Sequence, residues 1–151
     1  MNMVACAVER YLSDQQWRFA FNEENSIFDF NLSVKNCGAV RILILARERS
    51  ICTYAILPER VPRDRRADAM EFVTRANYGI NLGNFELDLR DGEVRFKSSL
   101  PCSKDCIPSQ DVIERAIDIA FVMLDRYSAG LIRLMHSGMT ADEAISLVEG
   151  R

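Results

Sequence analysis

Apolar and polar side chains alternate clearly along residues 17–34. Trp17, Phe19 and Phe21 alternate with Arg18 and Ala20, the polar run Asn22-Glu23-Glu24-Asn25 intervenes, and Phe28, Phe30, Leu32 and Val34 alternate with Asp29, Asn31, Ser33 and Lys35. A period of two places each apolar set on one face, which predicts two antiparallel strands, each half-buried. Residues 39–46, Ala-Val-Arg-Ile-Leu-Ile-Leu-Ala, are apolar on both faces in the middle and predict a central strand covered on both sides. Arg47-Glu48-Arg49-Ser50 turns the chain, and Ile51 to Leu57 returns as a fourth strand of a meander. Pro58 and Pro62 then end pairing, because neither offers a backbone N–H to a neighbour.

Helical spacing marks the remaining segments. Val4, Ala7, Val8, Tyr11 and Leu12 predict an amphipathic helix over Asn2 to Ser13. Ala69, Phe72, Val73, Ala76 and Ile80 predict a second, led in by Arg63-Asp64-Arg65-Arg66. The longest starts at Pro108 and Ser109, with Asp111 in a first turn that favours an anion. It carries Ile113, Ile117, Ala120, Leu124, Tyr127, Leu131 and Met135 as its stripe and stops at Ser137-Gly138. Thr140 and Glu143 have capping-box spacing for a short last helix with apolar Ala144, Ile145 and Val148.

Between the second and third helices lies a hairpin, Gly83 to Ser99. Asp91-Gly92 predicts a two-residue type I′ turn, since both residues accept positive φ. That turn pairs Arg90 with Glu93, Leu89 with Val94, Asp88 with Arg95, Leu87 with Phe96 and Glu86 with Lys97, with one apolar face and opposite charges meeting on the other. Gly79 sits where a helix end takes a left-handed residue, and Gly83 marks the bend into the strand. The order α-ββββ-α-ββ-α-α predicts an α+β domain, with about six antiparallel strands and helices packed on the sheet, over residues 1–151 as one domain.

Asn77-Tyr78-Gly79, Gly83-Asn84-Phe85-Glu86 and Asp91-Gly92-Glu93-Val94-Arg95-Phe96, in that order and spacing, with Leu124-Asp125-Arg126-Tyr127 in the following helix, resemble the YbjN family of bacterial proteins. The resemblance covers most of the chain. It implies a fold similar to type III secretion chaperones, a role as a sensory transduction regulator, and no catalytic residues.

Composition narrows the function classes. With 48% hydrophobic and 27% charged residues, the 151-residue chain can bury its own core without metal or disulfide help. A net charge of −3 gives no general pull toward nucleic acid or an anionic membrane. Glu9 and Arg10 arrive too early for a signal peptide, and no run reaches the ~20 apolar residues of a membrane span, so cytoplasmic residence is expected. The five cysteines, Cys6, Cys37, Cys52, Cys102 and Cys106, are then expected as free thiols, with Cys6 and Cys52 as small core residues and Cys37 exposed in a turn.

Candidate chemistry is sparse. Cys102-Ser103-Lys104-Asp105-Cys106 places two thiols in a loop before a helix N-terminus, where the dipole and Lys104 could activate them, so a redox or metal sensor is the alternative function. A tetrahedral zinc site needs two more ligands. The single histidine, His136, lies about 40 Å away along a straight helix. No phosphate loop, metalloprotease helix or nucleophile elbow occurs, and the acid pairs Glu23-Glu24 and Asp142-Glu143 fall in a turn and a cap. A basic start at Arg63 to Arg66 is expected as a solvated helix end, and the aromatics Trp17, Phe19 and Phe30 as core rather than a ligand pocket. The long helix carries apolar surface beyond one stripe, which marks Phe121, Val122 and Met123, with Arg126, as a candidate partner interface, within a homodimer or with another protein. The expected function is therefore non-enzymatic, cofactor-free protein binding in a regulatory, chaperone-like or adaptor role, using the sheet face or edges and that helix surface.

Overall fold

The computed structural model describes residues 1–103 and 105–150. In chain order the elements are α1 (Met3–Asp14), β1 (Ala20–Asn22), β2 (Ile27–Val34), β3 (Gly38–Arg47), β4 (Ser50–Ile56), a 3-10 turn (Arg63–Arg65), α2 (Arg66–Tyr78), β5 (Asn84–Leu87), β6 (Val94–Pro101), α3 (Gln110–His136) and α4 (Ala141–Glu149). The six strands form one antiparallel sheet in the order β1-β2-β3-β4-β6-β5, the α+β arrangement that the pattern predicts. The hairpin enters with its second strand inward: β6 pairs with β4, and β5 forms the edge.

The helices begin and end where local chemistry lets them. The Asn2 side chain accepts from the Ala5 N–H at 2.9 Å to start α1, and Thr140 and Glu143 close a full capping box on α4. Trp17 and Phe19 fall outside β1, which is shorter than the alternation predicts. Gln16 turns the chain at φ 59°, and the Trp17 N–H goes to the Leu12 carbonyl, so Trp17 belongs to the end of α1 and not to the sheet. Its ring stacks on Phe30 at 5.6 Å and meets Tyr11 and Phe121 edge-on. Phe19 meets Phe28 in the same way, so Trp17 and Phe30 fill space with each other and Phe19 with Phe28.

Helix α3 lies over β3, β4 and β6 with the whole predicted stripe from Ile113 to Met135 buried. Helix α4 closes against it at Gly130, where a Cβ would stand 2.6 Å from the Ala144 carbonyl oxygen, so only glycine lets the two helices come this close. Arg65 joins these helices from the other side. Its guanidinium donates twice to the Leu134 carbonyl at the negative end of α3 and once to that of Met139 in the connection to α4. Arg66 donates to the carbonyls of Val61, Leu89 and Arg90. The basic run is therefore not simply a solvated helix end: two of its arginines are spent on backbone oxygens.

The hairpin departs from the predicted register. Asp88 donates to the Glu93 carbonyl at 2.9 Å and accepts from the Gly92 N–H at 2.7 Å, closing a four-residue loop, Leu89 to Gly92, in place of a two-residue turn. Leu87 then faces Val94, Glu86 faces Arg95, Phe85 faces Phe96 and Asn84 faces Lys97. The shift is two residues, so every strand side chain keeps its face, but Leu89 leaves the apolar side and stands 54% exposed. The cause is tertiary. Gly92, at φ 81°, lies so close to the β4–α2 connection that a Cβ would be 2.2 Å from the Val61 oxygen, and its carbonyl accepts from the Val61 N–H. Upstream, Gly79 ends α2 at φ −103°, and the left-handed residue is Gly83 at φ 78°.

Candidate interaction surface

All fully buried strand residues share one parity: Phe28 and Phe30, Val40 to Ala46 in steps of two, Ile51, Thr53 and Ala55, Phe85, and Val94, Phe96 and Ser98. This face carries the helices. The opposite face is open, and its middle is apolar: Ile27 on β2, Leu43 and Leu45 on β3, and Tyr54 and Ile56 on β4 are all only half-buried. The expectation that β3 is covered on both sides is corrected here. Four helices wide enough to roof six strands all spend their apolar stripes on one side, so Leu43 and Leu45 keep solvent contact.

Charged side chains border this apolar centre. Arg41 grips Asp29 with both arms of its guanidinium, at 3.0 and 2.6 Å. Across the sheet, Glu86 accepts from Arg95 at 2.6 Å and from Lys97 at 2.5 Å. Burial would raise the Glu86 carboxyl, but the bonds from Lys97 and Arg95 outweigh it and hold the group below its ordinary value. The Arg95 guanidinium also lies 4.2 Å from the centre of the Tyr54 ring. A cleft of about 580 Å³ runs past the end of β5 and β6 between Glu86, Arg90, Glu93 and Arg95.

The edges of the sheet are treated differently from its face. The outward N–H and carbonyl of Phe85 on β5 both pair with the side-chain amide of Asn77, so the edge is closed at that point.

The candidate interface on α3 divides. Phe121 and Met123 pack against the core, Phe121 with its ring on Trp17, while Val122 is 51% exposed and Arg126 reaches back over the Tyr127 ring. Sequence periodicity could not see Trp17 arriving to cover Phe121.

Cys102 and Cys106 are both free thiols, and Lys104 between them lies outside the described residues. Cys102 is half-buried, and that burial pushes its thiol above the ordinary value, so the thiolate needed for redox or metal chemistry is disfavoured. Among the described residues, no three His, Cys, Asp or Glu side chains gather to hold a metal ion. His136 pairs with Glu59 at 2.7 Å. Cys6 and Cys52 are not core residues: Cys6 lies on the outer side of α1, and Cys52 has the outward parity of β4, with its sulfur 3.6 Å from the Ser99 hydroxyl. Cys37, expected exposed, is half-buried, and burial raises its thiol too.

One roofed and one open sheet face, the open one apolar at its centre and charged at its borders, define this as an α+β protein that presents a broad surface. The chain belongs to the YbjN family, described as "Putative bacterial sensory transduction regulator", which it matches over residues 6–133. Its fold is similar to that of YbjN from E. coli, "a putative transcription regulator", with a TM-score of 0.61 and 11% identity over 84% of this chain and 92% of that one. An uncharacterized protein from Methanothermobacter thermautotrophicus is similar at a TM-score of 0.52 and 14% identity, over 88% of this chain and 94% of that one. At such identities the likeness is one of fold alone. No curated protein matches the chain. Among the described residues, no helix is long and apolar enough to cross a membrane.

Proposed function

We propose that this protein is a non-enzymatic regulator or adaptor that acts by binding another protein segment on the open face of its sheet. The observation that carries this reading is the apolar group Ile27, Leu43, Leu45, Tyr54 and Ile56, contiguous across three strands and left without a helical cover. Contiguous apolar surface of that kind is costly to leave in water unless a partner uses it. The charged border supplies orientation, since Arg41 and Lys97, each on one carboxylate, and Arg95, between Glu86 and Glu93, all remain part-exposed. Val122 and Arg126 on α3 form a lesser patch on the roofed side.

Photo-crosslinking inside the source cell tests the assignment. A benzophenone side chain placed at Leu45 is expected to give a discrete protein adduct, and the same group at Val122 none. Adducts from Val122 and not from Leu45 move the function to the helical side. Adducts from neither position remove the binding role from both surfaces.

A further inference from the structure

The central row of the open face is complementary to itself, and the row beside it carries Asn31, Arg41, Ile56 and Arg95. One row of side chains crosses the whole sheet in register, Ala20, Asp29, Leu43, Tyr54, Lys97 and Asn84, and every member has the outward parity. The midpoint of the row falls between β3 and β4. A two-fold axis run along the strands at that midpoint lays β3 over the partner's β4 and β2 over the partner's β6. In this row Leu43 then meets Tyr54, and Asp29 meets Lys97, twice each. A rotation about an axis parallel to the strands also leaves the strand directions aligned, which is the common way for two sheets to stack.

Distances allow it. Strands lie about 4.8 Å apart and stacked sheets about 10 Å apart, so Asp29 and Lys97 sit roughly 7 Å from the axis. The ordinary ~30° rotation between packed sheets displaces them by about 4 Å, which a lysine side chain spans. Their existing partners do not exclude the contact. An ammonium has three donors and a carboxylate about four acceptor sites, so Lys97 keeps Glu86 and Asp29 keeps Arg41 while each gains the other. In the next row, Ile27, Leu45, Cys52 and Ser99 carry no charge and add to the apolar centre.

We infer that the open face receives a second copy of this chain, in a two-fold dimer that pairs Asp29 of each copy with Lys97 of the other around Leu43 and Tyr54. The inference rests on the open face being the interaction surface. A foreign segment then reaches that face only in the dissociated chain.

Sedimentation over a hundredfold range of concentration tests the dimer, with circular dichroism confirming that each variant is folded. Asp29→Lys and Lys97→Asp each place like charges across the axis, and each alone is expected to weaken the dimer at least tenfold. Mixed together, the two variants restore both pairs and are expected to form a heterodimer as tight as the wild type. Leu43→Lys is expected to give a monomer, and Val122→Lys to leave the dimer intact. A wild-type monomer throughout, or a mixture that fails to recover, overturns the dimer while leaving Leu45 crosslinking to a foreign protein free to stand. A dimer that survives Leu43→Lys overturns it as well, by placing self-association on another surface.

Discussion

The side-chain amide of Asn77 pairs with both backbone groups of Phe85, accepting from its N–H at 2.7 Å and donating to its carbonyl at 3.1 Å. Phe85 stands on the edge strand, so the end of α2 supplies the pairing that a seventh strand would otherwise make. An open edge invites another chain, and this one is blunted at Phe85 by the Asn77 amide, with the Asn84 amide adding a second donor to the carbonyl. Asn77→Ala is expected to cost about 1–3 kcal/mol in urea unfolding and to raise the tendency to aggregate, read by light scattering. Asn77→Asp keeps the acceptor and loses the donor, so it is expected to fall between the two.

Gly92 decides the hairpin. Gly92→Ala puts a methyl group against the Val61 backbone at a φ of 81°, with no flexible side chain to move aside. A loss of at least about 2 kcal/mol in denaturant unfolding is expected. An alanine placed at Gly38, also left-handed but with open space around it, is expected to cost less.

Arg65 serves the end of α3 with a planar fork that lysine lacks. Arg65→Lys is expected to destabilise by about 1–2 kcal/mol although the charge is kept, because only one of three bonds to Leu134 and Met139 can be remade. Thermal unfolding of the two proteins side by side reads this difference.

Tyr11 on α1 donates to Asp118 on α3 at 2.5 Å. Burial lifts the Asp118 carboxyl above its ordinary value, against the lowering pull of the Tyr11 bond. A carboxyl raised in the folded state contributes most below its unfolded value, and that contribution is lost as pH rises through the folded one. At pH 7 the charged form is thus a liability. Asp118→Asn, which still accepts from Tyr11, is expected to be more stable than wild type there by about 0.5 kcal/mol, a small gain because the carboxylate keeps part of its water. The gain is expected to vanish as the pH is lowered toward the ordinary carboxyl range, measured by urea unfolding at each pH.

Leu43 and Ile42 are neighbours in sequence on opposite faces. Ile42→Ala removes fully buried atoms under the helices and is expected to cost about 2–5 kcal/mol. Leu43→Ala, half-exposed on the open face, is expected to cost under about 1 kcal/mol in dilute solution. Equal losses would mean that β3 is covered on both sides after all.

The alternation of Phe28 and Phe30 with Asp29 and Asn31 determined by itself that this segment is a strand and which side is core, whereas residues 39–46, apolar on both faces, showed a strand without showing its core side. The threes and fours from Ile113 to Met135 did the same for α3, and Thr140 with Glu143 marked the start of α4. The candidate site was half legible: Leu43 and Leu45 could be read as apolar on a second face, but not as uncovered, since that depends on where four helices go. What only the tertiary structure decided are the matters to which the period is blind. A hairpin slipped by two residues has the same faces as one that is not, so Glu86 could be promised to Lys97 or to Arg95 with equal alternation. The contact of Gly92 with Val61, and the reach of Arg66 to Leu89 and Arg90 from a distant part of the chain, chose between them.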